Sequence, residues 1–446
     1  MTCKIGMVSL GCAKNRVDAE MMMFTLRQAG YTLVEDPAMC DVAIVNTCGF
    51  IEDAKQESID EIIELGRLKS EGKIKAIIVT GCLAERYQHE IIKELYEVDA
   101  VLGIGANADI AKVVEQVLNK RKVEMFPDKY CLPLTGGRVR STPSYYAYIK
   151  VAEGCDNRCS YCAIPFIRGK YRSRQMDDVL SEARQLAENG VKELIVIAQD
   201  TTRYGEDLYG EPMLAKLLVK LSEIEELKWI RVLYCYPDRI TDELIDVIAS
   251  NEKVLKYIDL PLQHCNKNVL RAMNRNGDRE SITGLIKKLR ERIPDVVLRT
   301  TMITGFPGES ESDFEELAEF TKELKFERLG CFAYSREEDT AAAAMENQVD
   351  DEIKVRRMEI IMEQQQIIME RYCEGLIGKN MEVLVEGYDK YAQCWYGRSY
   401  ADSPDVDGKV FFTCEGKHPL TGSFANVKIT DCVDGDPIGK LADDCV

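Results

Sequence analysis

The sequence predicts an α/β protein in three parts: an amino-terminal parallel α/β domain, a central partial (β/α)6 barrel, and a small antiparallel, OB-like β-barrel at the carboxyl end. Three observations lead there. Apolar runs of strand length alternate with amphipathic helical stretches over two long segments, the pattern of parallel sheets covered by helices. Residues 376–446 lack that helical pattern and show short alternating runs between Gly and Pro instead. The chain has 446 residues, which at roughly 150 per domain corresponds to about three domains.

Residues 1–118 form the first predicted domain, with strands over 4–10, 41–46, 76–80 and 100–102. Helices are predicted over 16–29, 54–69, 85–95 and 108–119, where apolar residues recur at helical spacing. Residues 119–144 contain Lys120-Arg121-Lys122, then Pro127, Pro133, Gly136, Gly137 and Pro143, and read as a linker. Residues 145–375 resume the alternation, with six strands over 146–151, 193–198, 229–234, 257–260, 297–304 and 328–334. Six βα units are too few for a closed eight-fold barrel and predict an open one. In the last helix of this part, 350–374, Met358, Ile361, Met362, Ile368, Met369 and Tyr372 are predicted as one apolar packing stripe. The third domain, 376–446, carries predicted strands over 381–386, 392–400, 409–414 and 424–431.

The hydrophobic fraction of 46% and charged fraction of 30% are those of an ordinary soluble globular chain. A net charge of −18 argues against bulk, sequence-independent binding of nucleic acid, which rests on Lys and Arg meeting phosphates. It suits a basic partner. No apolar run approaches the roughly 18 residues of a membrane span, so no membrane association is predicted. The short apolar run 5–13 is followed by Lys14 and Arg16 and does not read as an export signal. The seventeen cysteines are therefore expected to be cytoplasmic, reduced and partly metal-binding.

Three of them stand in Val151-Ala-Glu-Gly-Cys-Asp-Asn-Arg-Cys-Ser-Tyr-Cys162, a CxxxCxxC spacing just after the first strand of the central part. Thiolates this close can converge on one [4Fe–4S] cube, and three ligands leave one iron open for chemistry. The competing reading is a zinc knuckle, but structural zinc takes four ligands and the next cysteine after Cys162 is Cys235. A second trio shares another address. Cys12, Cys48 and Cys82 follow the first, second and third predicted strands, in Leu-Gly-Cys, Thr-Cys-Gly and Thr-Gly-Cys. Carboxyl ends of neighbouring parallel strands lie on one rim, so the three can meet and hold a second [4Fe–4S] cluster. Three buried free cysteines are the alternative.

The CxxxCxxC element resembles the radical S-adenosylmethionine (SAM) superfamily, and the whole chain is similar to the methylthiotransferase family within it. The resemblance is carried by Ser9-Leu-Gly-Cys-Ala-Lys-Asn-Arg-Val-Asp18, Asn46-Thr-Cys48, Thr80-Gly-Cys82, Phe166-Ile-Arg-Gly-Lys-Tyr-Arg-Ser-Arg174, Asp259-Leu-Pro-Leu-Gln-His264 and Tyr334-Ser-Arg-Glu-Glu338. It implies a radical SAM core and a closing TRAM domain. It also implies that Cys155, Cys159 and Cys162 hold a cluster that cleaves SAM to a radical, and that Cys12, Cys48 and Cys82 hold a second that serves sulfur insertion. The best-matching branch adds a methylthio group to the β-carbon of an aspartate in the twelfth small-subunit ribosomal protein. The sister branch, the alternative reading, modifies a tRNA adenosine. The resemblance further implies an electron donor such as flavodoxin or ferredoxin and no catalytic side chain beyond the clusters. An acidic third domain, with 7 Lys and Arg against 12 Asp and Glu over 376–446, favours the basic ribosomal protein over RNA. Cys265, and Ala341 to Ala344 without a proline, depart from the family pattern at positions outside the cluster ligands.

The remaining candidates sit near the expected site. Tyr161 could pack on the adenine of SAM. Gln199 and Asp200 end the second central strand where the superfamily binds the SAM amino group. Gln263 ends the fourth, beside His264, which reads mainly as structural. Gly305 ends the fifth, where glycine permits backbone approach to a cofactor or simply a tight turn. The basic run Arg168 to Arg174 either closes over an acidic group or is a solvated face.

Overall fold

The computed structural model describes residues 3–415 and 418–442. Six parallel strands form the first sheet: β1 (Lys4–Ser9), β2 (Thr32–Val34), β3 (Val42–Thr47), β4 (Ala76–Gly81), β5 (Ala100–Leu102) and β6 (Val123–Met125), in the order β2-β1-β3-β4-β5-β6. Every position of β3 and β4 is buried, because helices cover both faces; that is why these strands read as unbroken apolar runs. The two edge strands, β2 and β6, were not predicted. Each has three residues, too few for alternation to register. β6 lies inside the stretch expected to be linker, where the flanking basic and proline-rich residues mask it. The helix expected over 85–95 is two short helices, Cys82–Tyr87 and His89–Glu94, broken at Gln88 with φ +43°.

The second sheet is open and parallel: β7 (Tyr146–Lys150), β10 (Glu193–Ile197), β11 (Trp229–Val232), β12 (Val254–Asp259), β13 (Val297–Thr304) and β14 (Arg328–Ala333), in the order β14-β13-β12-β11-β10-β7. A two-residue ladder, β8 (Ala152–Glu153) with β9 (Arg172–Ser173), leads out of β7. The closing helix Asp351–Glu374 corrects the predicted stripe. Its buried side chains are Lys354, Arg357, Ile361, Gln365 and Cys373, and Met362 is exposed. Two of the polar members reach partners across the interface: Arg357 Nη1 meets Glu309 Oε1 at 2.8 Å, and Gln365 Nε2 donates to the Phe326 carbonyl at 3.0 Å.

The third unit is a closed barrel, β15 (Asn380–Asp389), β16 (Cys394–Arg398), β17 (Val410–Thr413), β18 (Phe424–Val433) and β19 (Asp436–Leu441), in the order β15-β16-β17-β19-β18. β19, interrupted by Pro437 and Gly439, was not predicted; its pairing with β17 is parallel and closes the ring. The barrel docks on the second sheet through buried charge. Glu193 of β10 pairs with Arg231 at 2.7 Å and with Arg398 of the barrel at 2.7 Å, and Arg328 of β14 pairs with Asp402 at 2.6 Å. Cys373 and Cys432 form a disulfide between the closing helix and β18, which corrects the expectation of uniformly reduced thiols; their Cα atoms stand 5.9 Å apart. Among the described residues no helix is long and apolar enough to cross a membrane.

The stretch between the first two sheets is fastened to both. Ser141 donates from its backbone N and its Oγ to Glu20 Oε1, each at 2.8 Å. Val139 N donates to the Glu20 carbonyl at 3.0 Å, and Arg138 Nη1 donates to the Tyr148 carbonyl of β7 at 2.8 Å.

Candidate functional site

The second trio is assembled by close backbone packing at one rim. Cys12 follows β1, Cys48 follows β3 and Cys82 follows β4, three neighbouring parallel strands. Gly11, at φ +82°, lies so close to Cys48 that a Cβ there would sit 2.8 Å from its Sγ. Gly49 lies equally close to the Cys82–Leu83 peptide, with a built Cβ 2.7 Å from Leu83 N. Asn15 ties the loops together. Its Nδ2 donates to the carbonyls of Leu10, Asn46 and Thr47 at 2.8 to 3.2 Å, and Asn46 Nδ2 returns a bond to the Asn15 carbonyl at 2.7 Å.

The first trio sits on a loop after β8. Cys155 N donates to the Gly169 carbonyl at 3.0 Å and Cys162 N to the Cys159 carbonyl at 3.0 Å. The loop is clamped from outside by Asn274 Nδ2, which donates to the Arg158 carbonyl at 2.8 Å, and by Ser160 N, which donates to the Met273 carbonyl at 2.9 Å. A cavity of about 800 Å³ opens over Cys155, Cys159 and Cys162, walled on its far side by Glu85 and the segment Phe126 to Tyr130. Among the described residues no three Cys, His, Asp or Glu side chains form a single-ion cage.

Between the trios lies a buried set of four charges. Lys150 Nζ contacts Asp18 and, at 2.6 Å, Glu153; Arg168 Nη1 contacts Asp18 Oδ2 at 2.6 Å and Glu153 Oε2 at 3.3 Å. All four side chains are at most 2% exposed. The second arm of Arg168, Nη2, reaches Asn15 Oδ1 at 3.1 Å and Cys82 Sγ at 3.3 Å. The basic run is thus mostly internal rather than a solvated face, with Lys170 alone reaching the cavity over the first trio. Arg174 pairs with Glu182 at 2.6 Å and Arg172 Nη1 donates to the Tyr130 carbonyl at 2.8 Å; only Lys170 of the run's cations is exposed.

Two buried cations, Lys14 and Arg275, have no carboxylate at ion-pair distance among the described residues, whereas the other buried Lys and Arg side chains each have one. Lys14 Nζ lies 3.1 Å over the Tyr234 ring, two residues beyond Cys12. Arg275 stacks on Tyr236 at 4.3 Å, with Nη1 at 3.8 Å from Cys159 Sγ and 3.5 Å from the Tyr161 hydroxyl. Burying a cation without an anion is costly, so each position calls for negative charge. A cluster held by three thiolates at each trio would supply it, and the donor sets fit that group. Four of the thiols, Cys48, Cys82, Cys155 and Cys162, are held high. Burial, with Cys82 and Cys12 close by, pushes Cys48 up to about 12, and burial pushes Cys155 up to about 11. Burial also raises Cys82, with Arg168 opposing, and Cys162. For Cys12 the desolvation is outweighed by Lys14 and Arg168, and the thiol lies below its ordinary value. Thiols held high are protonated at neutral pH, so taking up metal releases protons.

The other expected residues stand around this centre, and none of Tyr161, Gln199, Asp200, Gln263 and Gly305 lines the cavity. Tyr161 packs against the core of the second sheet. Gln199 is half-buried after β10. Asp200 is buried, with its carboxylate receiving Asn157 Nδ2 at 2.9 Å and Thr202 Oγ1 at 2.6 Å. Gln263 follows β12 at φ +72° and extends the pairing with β13. At Gly305 the close approach is made by Lys354, whose Cγ would stand 2.1 Å from a Cβ. His264 is fully buried, with Nδ1 accepting from Asn266 N at 2.9 Å. Sequence reading missed Lys14, Asp18, Lys150, Glu153 and Arg275 as site residues. Local signals existed for four of them: Lys14 and Asp18 lie within the Ser9–Asp18 motif, and Lys150 and Glu153 are a complementary pair three residues apart on the approach to Cys155.

Three family matches cover most of the chain: an uncharacterized protein family, UPF0004, over residues 4–103, the Radical SAM superfamily over 149–321, and the TRAM domain over 377–441. The chain is 48% identical to ribosomal protein uS12 methylthiotransferase RimO of Thermoanaerobacter sp. (strain X514), over 98% of this chain and 99% of that protein. It is 50% identical to the protein of the same name from Pelotomaculum thermopropionicum (strain DSM 13744 / JCM 10971 / SI), over 99% of each. Among solved structures, the radical SAM methyltransferase TsrM from Kitasatospora setae, with cobalamin and a [4Fe–4S] cluster bound, matches with a TM-score of 0.56 at 15% identity, covering 75% of each chain, a likeness of fold.

Proposed function

Because this chain belongs to the ribosomal protein uS12 methylthiotransferase family, we propose that it adds a methylthio group to the β-carbon of an aspartate in uS12, the twelfth protein of the small ribosomal subunit. The observation that carries this reading is the pairing of two cysteine trios, each at the carboxyl rim of its own parallel sheet and joined by one buried charge network. The first trio, Cys155, Cys159 and Cys162, is assigned to one [4Fe–4S] cluster, and Cys12, Cys48 and Cys82 to a second. When bound, the clusters and SAM supply the methyl group, the radical and the site of sulfur transfer.

The chain's own residues bind, orient and exclude. Lys14 and Arg275 bring the counter-charge, and Asn15 and Asn274 fix the two ligand loops. Tyr161, Gln199, Asp200, Gln263 and Gly305 are the proposed SAM-side residues, placed beside the first trio or just beyond β10, β12 and β13. Asp200 is already bonded to Asn157 and Thr202, and the Tyr161 hydroxyl lies 3.5 Å from Arg275 Nη1, so these two act by holding the loop of the first trio in place. The four-charge network closes the space behind the trios to water, because all its members are buried and paired.

The chain reads as three domains, the first running through β6 and the others divided near residues 145 and 375, acting in the cytoplasm with a one-electron donor such as flavodoxin or ferredoxin. The acidic barrel suits a basic protein substrate better than an RNA backbone. The test is anaerobic, reconstituted, full-length protein with SAM and reductant, offered uS12 and tRNA separately. A methylthio mass gain on uS12 is expected; a gain on tRNA alone would replace this reading.

A further inference from the structure

The short helix Ile164–Arg168 starts just after Cys162 and ends against Cys82. Ala163 and Ile167 pack on Cys82, and Arg168 Nη2 stands 3.3 Å from its sulfur. One turn of helix therefore spans from a ligand of the first trio to a ligand of the second. We propose that Arg168 is a positioning residue for the second cluster, donating from Nη2 to Cys82 Sγ so as to fix that ligand's direction and raise the cluster's reduction potential. The proposal rests on the reading of Cys12, Cys48 and Cys82 as cluster ligands.

Three features separate this contact from ordinary packing. The charge of Arg168 is already balanced, because Asp18 and Glu153 face Lys150 and Arg168. What reaches the sulfur is thus a directed donor within a neutral set. The guanidinium cannot turn away: Nη1 is held by Asp18 at 2.6 Å and Nη2 is steadied by Asn15 at 3.1 Å. And a hydrogen bond to a ligand sulfur favours the more negative, reduced cluster, one of the levers by which proteins set such potentials.

The test uses the full-length chain carrying Cys155→Ala, Cys159→Ala and Cys162→Ala, reconstituted anaerobically so that iron resides at the second trio. Iron content, the EPR-monitored midpoint potential, and pulsed EPR on protein grown with arginine labelled at its guanidinium nitrogens are measured. Arg168→Lys and Arg168→Gln are then compared. Lys keeps the charge facing Asp18 and Glu153 but has no second arm for Cys82. Both variants are expected to shift the midpoint to more negative potential. The parent should show hyperfine coupling to labelled nitrogen, lost in Arg168→Lys. Iron bound with an unmoved midpoint, or without nitrogen coupling in the parent, overturns the proposal alone. If the variants fail to fold, the labelled parent decides. No iron in the parent overturns the cluster reading itself, and this proposal with it.

Discussion

Glu193 and Arg398 meet at 2.7 Å with both side chains out of solvent, one in the second sheet and the other in the barrel. Glu193 also holds Arg231 at 2.7 Å, so one carboxylate serves two buried guanidinium groups. Glu193→Gln leaves Arg231 without a carboxylate and Arg398 with Glu386 alone, at 2.7 Å. A loss of about 3–5 kcal/mol in unfolding free energy is expected, by analogy with other broken buried pairs, read from urea denaturation. A variant as stable as the parent would show that the barrel is held mainly by its apolar contacts, such as Trp229 against Phe424.

Replacing the trios separates their duties. Cys48→Ala should keep SAM cleavage, seen as 5′-deoxyadenosine, while losing methylthio transfer and about half the iron. Cys159→Ala should lose both activities. Normal methylthio transfer by the Cys48 variant would remove the second trio from the mechanism.

Gly81 precedes Cys82 at φ +93°, and a Cβ there would lie 2.5 Å from the Thr47 carbonyl oxygen. The obstacle is backbone, which cannot swing aside. Gly81→Ala is expected to cost roughly 1–3 kcal/mol through the strained φ alone and to misplace Cys82. Thermal unfolding and iron loading check this; an unchanged melting temperature with full loading would show that the rim yields.

Acid should act through Glu153. Burial opposes its ionisation, but Lys150 and Arg168 prevail and hold it at about 2. An unfolded glutamate titrates near ~4.3. Its contribution is therefore complete above about pH 4.3 and is lost as pH falls from there through about 2. In Glu153→Gln the fall of stability across that window should be shallower, measured by denaturation at a series of pH values. An identical slope would place the acid-sensitive carboxylate elsewhere.

The disulfide offers a separate handle. Cys373 and Cys432 are 59 residues apart in sequence, and closing a loop of that length stabilises by about 4 kcal/mol in the chain-entropy account. Oxidised protein should melt above reduced protein, and Cys432→Ser should erase the difference. A melting temperature indifferent to reductant in the parent would show that the bond contributes no net stability.

The sequence exposed what is local and periodic. All six strands of the second sheet read directly as apolar runs, and both trios could be read from spacing and strand ends. The edge strands β2 and β6 were too short to register, and β19 carries Pro437 and Gly439, which imitate a loop. Arg168 meets Cys82 across 86 residues of chain, and Arg275 meets Cys159 across 116. Nothing in either local pattern tells a solvated cation from one buried against sulfur. The apolar stripe of the closing helix failed for a related reason: Arg357 and Gln365 are buried because their partners, Glu309 and the Phe326 carbonyl, are supplied by distant segments.

The segment carrying Arg138, Val139 and Ser141 does more than connect. It is bonded to Glu20 on one side and to Tyr148 on the other, so the first and second sheets are cross-braced rather than hinged. Moving one rim relative to the other would first have to break these bonds, so the separation of the two cysteine trios is tied to the integrity of a stretch that carries no ligand of its own.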